Sequence, residues 1–213
     1  MTLQFGFELE GFVRNKQDQQ ITIPPISVPV DGFPGLVELR NTGGGSLFDQ
    51  LSDIAKQLMK LRVDLKKSLM YEDFVTTEHK FSGQDMASLR RSRPFNKDIV
   101  DIQNIYGKHP RRFGNKTFAA FQINISHQIG WSRTERLGDK IVSIPNQYAL
   151  LDIQKIVKKL DKEFAREIKN SGRQPGMYAI KENIRLEYRS LPNSVFDVDY
   201  QNLFERLERV FFK

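Results

Sequence analysis

The sequence has no cysteine, only 3 histidines and 1 tryptophan among its 213 residues, and no long apolar run. Without cysteine, disulfides, thiolate metal sites and cysteine nucleophiles are excluded, and the composition fits a reducing compartment. A membrane-spanning helix needs about 18 consecutive apolar residues, so none is predicted and no membrane partner is expected. Any chemistry must therefore be built from carboxylates, amides, arginine and lysine.

The first ten residues also lack the pattern of a secretory signal. Glu8 and Glu10 lie where a signal peptide has a basic segment followed by an apolar stretch. We therefore expect a cytoplasmic protein.

Basic residues outnumber acidic ones, 33 to 26, which gives a formal net charge of +7. Such an excess attracts nucleic acid, an acidic membrane surface or a polyanionic small molecule such as ATP. Between residues 80 and 116 the acidic residues are Asp85, Asp98 and Asp101. The basic residues there are Lys80, Arg90, Arg91, Arg93, Lys97, Lys108, Arg111, Arg112 and Lys116. This segment is a candidate nucleic-acid contact, with a solvated loop face as the alternative.

Four segments alternate apolar and polar residues as β-strands do, and three others repeat apolar residues every three or four positions as helices do. The predicted strands are 3–13, 36–40, 117–127 and 184–191. The predicted helices are 47–69, capped by Ser46, then 147–170, capped by Asn146 and ended by Gly172, and finally 200–212.

These elements predict one α+β domain over residues 1–213, with an antiparallel sheet, long helices packed on one face and a polar face free for a ligand. Residues 71–116 show no sustained period and are rich in Gly, Pro, Asn and Arg. We interpret them as a long insertion, with short elements around residues 98–106. Its length is unusual for a structureless loop and suggests a lid or an interface arm.

Each predicted strand carries polar residues on the face opposite its apolar residues. They are Glu8, Glu10, Glu38, Arg40, Gln122, Asn124, Arg185, Glu187 and Arg189. Any one pair is typical of a solvent-facing strand. Together they combine the oxygen ligands that Mg²⁺ prefers with guanidinium groups that match phosphate.

Carboxylates on adjacent strands need a neutralising partner, because two of them about 5 Å apart repel by roughly 3 kcal/mol at an effective dielectric of about 20. A bound cation would remove this repulsion. A structural ion network, for example between Glu187 and Arg40, would do the same. Both interpretations stay open at this point.

Four segments, in order, are similar to the phage-encoded carboxylate–amine ligases. They are FGFELEGFV at 5–13, DGFPGLVELRN at 31–41, FQINIS at 121–126 and GRQPGMYAIKENIRLEYRSLPNS at 172–194. That family belongs to the amidoligases, relatives of glutamine synthetase and glutamate–cysteine ligase. The EYRSLPN block and the PG-x-Y turn before it are the more specific part. Residues 71–116 and the last helix lie outside the resemblance.

The resemblance implies a glutamine synthetase-like fold and an ATP- and Mg²⁺-dependent ligase that joins a small-molecule or peptide carboxylate to an amine through an acyl-phosphate. The implied metal ligands are Glu8, Glu10, Glu38 and Glu187, with Gln122 and Asn124. The implied catalytic residues are Arg185, Glu187 and Arg189. The implied nucleotide contacts are Arg40, Arg173, Arg185 and Arg189. An oligomer and the host-cell cytoplasm are compatible with this activity.

Two departures from the family pattern point to an alternative. The family usually shows H-x-H where this chain has Gln122 and Asn124, and it tends to show Arg where this chain has Ala179. Amide oxygens can still bind Mg²⁺, although weaker binding is expected. The alternative is an inactivated ligase fold that serves as a phage structural or binding component, in the virion, with segment 80–116 contacting nucleic acid or neighbouring subunits.

A second alternative is a metal-dependent nuclease of the D…(D/E)-x-K type, approximated by Asp31 and the run Glu38, Leu39 and Arg40. Arg40 stands where such enzymes use Lys to orient the attacking water. Because Arg stays protonated, this substitution argues against the nuclease.

Overall fold

The computed structural model describes residues 3–15, 36–41, 44–67, 71–75, 78–80, 102–109, 116–126, 132–137, 140–145, 147–181, 185–197 and 199–213. In this part of the chain, seven strands form one antiparallel sheet and two further pairs of strands form ribbons. The same part contains four α-helices. The protein is therefore a mixed α and β structure, as predicted.

The strands and helices follow one another without a regular alternation. The strands are β1 (Gln4–Asn15), β2 (Leu36–Arg40), β3 (Tyr71–Val75), β4 (Glu78–Lys80), β5 (Gln103–Asn104), β6 (Lys116–Phe118), β7 (Ala120–Ser126), β8 (Ser132–Leu137), β9 (Lys140–Pro145), β10 (Met177–Lys181) and β11 (Arg185–Pro192). The helices are α1 (Leu47–Lys67), α2 (Gln147–Glu163), α3 (Ala165–Asn170) and α4 (Gln201–Phe212), with a 3₁₀ turn at Asn193–Val195.

The strand order of the sheet is β2-β1-β7-β11-β10-β5, and β3 also pairs with β1. Glu8 lies opposite Arg40 on one side and opposite Gln122 on the other. Asn124 lies opposite Glu187 on β11. Residues directly opposite each other point to the same face. This register therefore gathers polar side chains from β2, β1, β7 and β11 on one face.

The other face of the sheet forms the core against the helices. Phe7 and Phe121 stack there, with ring centroids 5.3 Å apart. α1 contacts β1, β2 and β3, while α2 and α3 contact β11. The stripe that α1 buries is Leu47, Leu51, Ile54, Ala55, Leu58, Leu61 and Leu65. Each large aliphatic side chain buried in this way contributes about 1.5–3 kcal/mol.

Most predicted elements are confirmed at nearly their predicted bounds, but the predicted strand 117–127 is divided at Ala119 into β6, which pairs with β4, and β7 of the main sheet. β2 begins and ends as predicted, and the Ser46 hydroxyl oxygen accepts a hydrogen bond from the Asp49 amide (3.2 Å), which caps α1. The predicted helix 147–170 is interrupted at Phe164. Gly172 ends it with a φ of 71°, in the left-handed region that glycine adopts readily. Asn146, the predicted cap, lies outside the described residues.

Three features were not predicted. β3 lies in the stretch interpreted as an insertion and pairs with the main sheet. β5 lies within residues 98–106, where short elements were predicted, but its pairing with the main sheet was not predicted. β10 pairs with β11, although only a turn was recognised at its start. β8 and β9 form a separate ribbon. Tyr71–Val75 mixes Asp and Glu with apolar residues on both faces, so its alternation is weak.

None of the helices in the described part of the chain combines the length and the apolar character needed to cross a membrane.

Candidate functional site

The polar face of the sheet holds all nine polar strand residues singled out from the sequence. They are Glu8, Glu10, Glu38, Arg40, Gln122, Asn124, Arg185, Glu187 and Arg189. Four of these side chains are nearly inaccessible to solvent: Glu10 (7% exposed), Gln122 (2%), Asn124 (5%) and Glu187 (0%). Buried polar groups are costly unless they are hydrogen-bonded or paired, so their partners decide what the face can do.

A chain of hydrogen bonds crosses three neighbouring strands. The Gln122 Nε2 donates to Glu10 Oε1 (2.7 Å), and Arg189 Nη1 donates to Gln122 Oε1 (3.2 Å). Arg189 also pairs with Glu187. The second oxygen of Glu10 accepts from the Ala120 amide (2.9 Å). Gln122 thus has its nitrogen turned to a carboxylate and its oxygen turned to a guanidinium, which fixes its orientation.

Glu187 is held between two cations. Its carboxylate oxygens contact Arg189 on one side and Lys181 on the other. Lys181 comes from β10, two residues after Ala179, which lies directly opposite Glu187. Lys181 therefore supplies a cation two residues from Ala179, the position at which the resemblance to the carboxylate–amine ligases predicts Arg. Lys181 was not predicted as a site residue, because β10 was not recognised as a strand.

Glu8 and Asn124 form a second polar pair. Asn124 Nδ2 donates to Glu8 Oε1 (3.2 Å), while Asn124 Oδ1 is buried and has no hydrogen-bond partner among the described residues. An unsatisfied buried acceptor costs about 1–3 kcal/mol and calls for an explanation, such as an ion or a water molecule. A hard cation held by Glu8 would satisfy this oxygen once the amide turned its oxygen, rather than its nitrogen, toward Glu8.

The donor groups fit Mg²⁺ at Glu8 and Asn124 better than at Glu187. Within the described residues, no three side chains of Asp, Glu or His lie close enough together to hold a metal ion. Glu187 is neutralised by two cations, and Glu38 contacts Arg40 (3.5 Å). Mg²⁺ often binds to proteins through one or two carboxylates and keeps several waters, so Glu8 and one amide oxygen are a sufficient protein contribution.

The position of Arg189 depends on a β-bulge in β11. Tyr188 lies opposite Ile123 and Leu191 opposite Phe121, so Arg189 and Ser190 together oppose the single residue between them on β7. The additional residue shifts the alternation of side chains by one. Tyr188 and Leu191 both reach the core, while Arg189 stays on the polar face.

Arg173 stabilises this bulge from the loop after α3. Its Nη2 donates to the Arg189 carbonyl (2.7 Å) and its Nη1 to the Ala119 carbonyl (3.4 Å). Burial lowers the pKa of Arg173 to about 10, with Glu10 opposing the shift and Arg189 adding to it. Arg173 therefore remains a cation at neutral pH. Its observed contacts are those of a positioning residue, and a contact with nucleotide remains a prediction.

The two remaining predicted arginines lie near the margins of the face. Arg185 begins β11, opposite Lys181 and Ser126. Arg40 is largely exposed (64% of its side chain) and pairs with Glu38 rather than with Glu187. The ion network considered from the sequence therefore exists with different partners. Asp31, which the nuclease hypothesis needs, lies outside the described residues.

A second buried polar cluster surrounds Asp161 of α2. Its Oδ1 accepts from the hydroxyl of Tyr188 (2.6 Å) and the amide of Gly176 (3.1 Å), and its Oδ2 accepts from the hydroxyl of Tyr106 (2.9 Å). Burial raises the pKa of Asp161, against the opposing effect of these hydrogen bonds. This cluster was not predicted, because its members are far apart in sequence and each belongs to a different element.

No protein-family model matches the chain, and neither a curated protein nor a solved structure matches it. A relationship to the carboxylate–amine ligases therefore remains a prediction, which rests on the four segments quoted above.

Proposed function

We propose that the polar face binds ATP with Mg²⁺ and joins a carboxylate to an amine, on a sheet of the glutamine synthetase type. The observation that carries this proposal is the buried chain of acidic, amide and guanidinium groups across β1, β7 and β11, next to Asn124, whose nitrogen bonds to Glu8 and whose buried oxygen has no hydrogen-bond partner in the described part of the chain. The reaction class comes from the resemblance of the segments that contain these residues.

Three of the polar residues, Glu8, Asn124 and Arg189, have roles that follow from their contacts. Glu8 and the Asn124 oxygen would hold Mg²⁺, with Glu10 on the strand of Glu8, Gln122 on the strand of Asn124 and Glu38 on the neighbouring β2. The ion would neutralise phosphate charge and orient the nucleotide. Arg189 is fixed by Glu187 and Gln122, so it presents a preorganised cation that needs no rearrangement as negative charge moves from the γ-phosphoryl group to ADP.

The proposed reaction has two steps. An oxygen of the substrate carboxylate attacks the γ-phosphorus of ATP, and ADP leaves. The amine nitrogen then attacks the acyl carbon, inorganic phosphate leaves, and the amine loses a proton. Arg185 and Arg189 would balance the charge of the phosphoryl group in the first step and of the departing phosphate in the second.

Calorimetric titration with Mg²⁺ and a non-hydrolysable ATP analogue tests the proposal. The wild type should bind the analogue, and Glu8→Gln should weaken binding about tenfold or more, because a metal-ligating charge is lost. Glu205→Gln is the matched control, since Glu205 is exposed on α4 and bonds only to Gln201 in the described structure. Wild-type protein that fails to bind the nucleotide contradicts the proposal.

A second candidate is a non-catalytic binding component that has kept the sheet. Lys181 and Arg189 neutralise Glu187 without a metal, and Arg189 occupies the oxygen of Gln122. This candidate predicts that Mg²⁺ and nucleotide leave the melting temperature unchanged. The ligase predicts a rise, because a ligand that binds only the folded state stabilises it. Thermal unfolding with and without Mg²⁺ and nucleotide distinguishes the two.

A further inference from the structure

Helices α2 and α3 carry a row of exposed cations on their outer surface, which we call the basic stripe. It consists of Lys155, Lys158, Lys162, Arg166 and Lys169. These positions are three or four residues apart, a spacing that keeps side chains on one side of a helix. The Phe164 amide bonds to the Leu160 carbonyl and the Ile168 amide to the Phe164 carbonyl, both at 3.0 Å. The helical hydrogen bonds thus continue through the junction of α2 and α3.

In the part of the chain that the structure describes, no cation of the basic stripe forms a close ion pair, although Arg166 lies near enough to Glu167 to help lower the pKa of that carboxyl. Asp161 points into the molecule, where two tyrosines and an amide occupy its oxygens. Glu163 and Glu167 both pair with Arg206 of α4, and Glu163 also pairs with Arg209. Like charges spaced in this way repel one another. An anionic partner would relieve that repulsion.

The middle of the basic stripe borders a cavity with an aromatic wall. The cavity has a volume of about 470 Å³ and is lined by Tyr106, Lys108, Lys158, Asp161, Lys162 and Pro175. Tyr106 is 43% exposed. Its hydroxyl bonds to Asp161, and Gly176 lies so close that a Cβ there would come within 2.6 Å of the ring. The ring is therefore held in place next to three lysines.

We propose that the basic stripe and Tyr106 bind single-stranded nucleic acid, the stripe contacting phosphates and the ring stacking on a base. Lys155 and Lys169 are 14 positions apart, so at about 1.5 Å per residue the stripe is about 20 Å long. That length accommodates several consecutive phosphates of one strand. An aromatic ring beside cations is the arrangement with which proteins bind single strands without sequence preference.

The buried faces of the two helices argue against a membrane as the partner. Interfacial helices insert an apolar face into the lipid beside their basic residues. On α2 the apolar residues Ile153, Val157 and Leu160 are fully buried against the core. Because α2 and α3 pack on the apolar face of the sheet, the basic stripe is separate from the polar face, and this proposal does not depend on the ligase activity.

Fluorescence anisotropy with a labelled single-stranded oligonucleotide of about 16 nucleotides tests the basic stripe. Lys158→Gln/Lys162→Gln should weaken binding about tenfold at about 50 mM salt and reduce the dependence of log K on log salt by about 1.4. The matched control is Lys56→Gln/Lys60→Gln, which removes the same charge from exposed positions of α1. Equal losses in both variants, or no binding by the wild type, would overturn the proposal.

Tyr106 variants test the stacking contact. Tyr106→Leu should weaken single-strand binding about fivefold or more, whereas Tyr106→Phe, which keeps the ring, should bind like the wild type. Neither should affect a duplex of the same sequence, whose bases are already stacked. If Tyr106→Leu weakens both nucleic acids equally, Tyr106 does not stack. Binding to phosphatidylserine vesicles without binding to the oligonucleotide would assign the stripe to a membrane instead.

Discussion

Glu187 shows how a single residue on this sheet depends on its neighbours. Its side chain is fully buried, and it contacts Lys181 and Arg189. A buried carboxylate is tolerated only while such partners remain, because the cost of removing it from water is several kcal/mol. The sequence predicted that Glu187 would face other polar groups, since it alternates with Leu186 and Tyr188. It did not predict Lys181, which reaches Glu187 from a strand that shows no clear alternation.

Lys181→Met should lower the free energy of unfolding by about 3 kcal/mol, because it leaves a buried carboxylate with one cation fewer. The matched control is Arg40→Met, which breaks an exposed pair with Glu38 and should cost less than about 1 kcal/mol. Urea unfolding measures both. Equal costs would mean that Glu187 does not depend on Lys181.

Asp161 should make stability depend on pH. Burial raises its pKa in the folded state, so the folded protein binds this proton more readily than the unfolded chain does. The resulting stabilisation is fully present below the unfolded pKa of about 3.9 and is lost as pH rises through the folded pKa. The Asp161→Asn variant has no ionisable carboxyl at this position, so its stability lacks this contribution at every pH.

The unfolding free energy of the wild type minus that of Asp161→Asn should therefore decrease from about pH 4 to about pH 7. Urea unfolding across that range measures the difference. Asp152→Asn, at an exposed position of α2, controls for the loss of one carboxylate. A difference that increases with pH would contradict the direction of the shift.

At the scale of elements, the sequence predicted the helices and strands that bury one regular stripe of apolar residues. It missed the strands in which apolar and polar residues do not alternate regularly. α1 and β2 have clear apolar periods, and both were predicted with nearly correct bounds. The bulge in β11 follows from pairing with β7, which a local pattern does not encode. The same applies to Arg173, whose hydrogen-bond partners are the carbonyls of Arg189 in β11 and of Ala119 between β6 and β7.

Arg173→Met should destabilise the protein by about 2–3 kcal/mol, because the partly buried carbonyls of Arg189 and Ala119 lose a charged donor. Arg166→Met makes the same chemical change at an exposed position of α3 and should stay within about 0.5 kcal/mol of the wild type. Thermal or urea unfolding checks the pair. A cost at Arg173 as small as that at Arg166 would show that the bulge does not need this residue.

At the scale of the whole molecule, the sheet separates two chemically different surfaces. One face carries buried acids and amides with partly exposed arginines, and on the other side the helices carry the exposed cations of the basic stripe. The sequence predicted the antiparallel sheet, its helix layer and the membership of the polar face. It could not predict which acids are ion-paired, because that choice depends on contacts between residues distant in the chain.

The proposed ligase function depends most on a cation at Glu8 and Asn124, together with nucleotide on the same face. The most direct measurement is the anomalous diffraction of crystals soaked with Mn²⁺, which takes oxygen ligands as Mg²⁺ does, and a non-hydrolysable ATP analogue. The ligase function predicts a manganese peak within coordination distance of the Glu8 carboxylate and the Asn124 side-chain oxygen, with nucleotide phosphates beside it. A nucleotide bound elsewhere, or a polar face that keeps its present hydrogen bonds and contains no manganese, would contradict it.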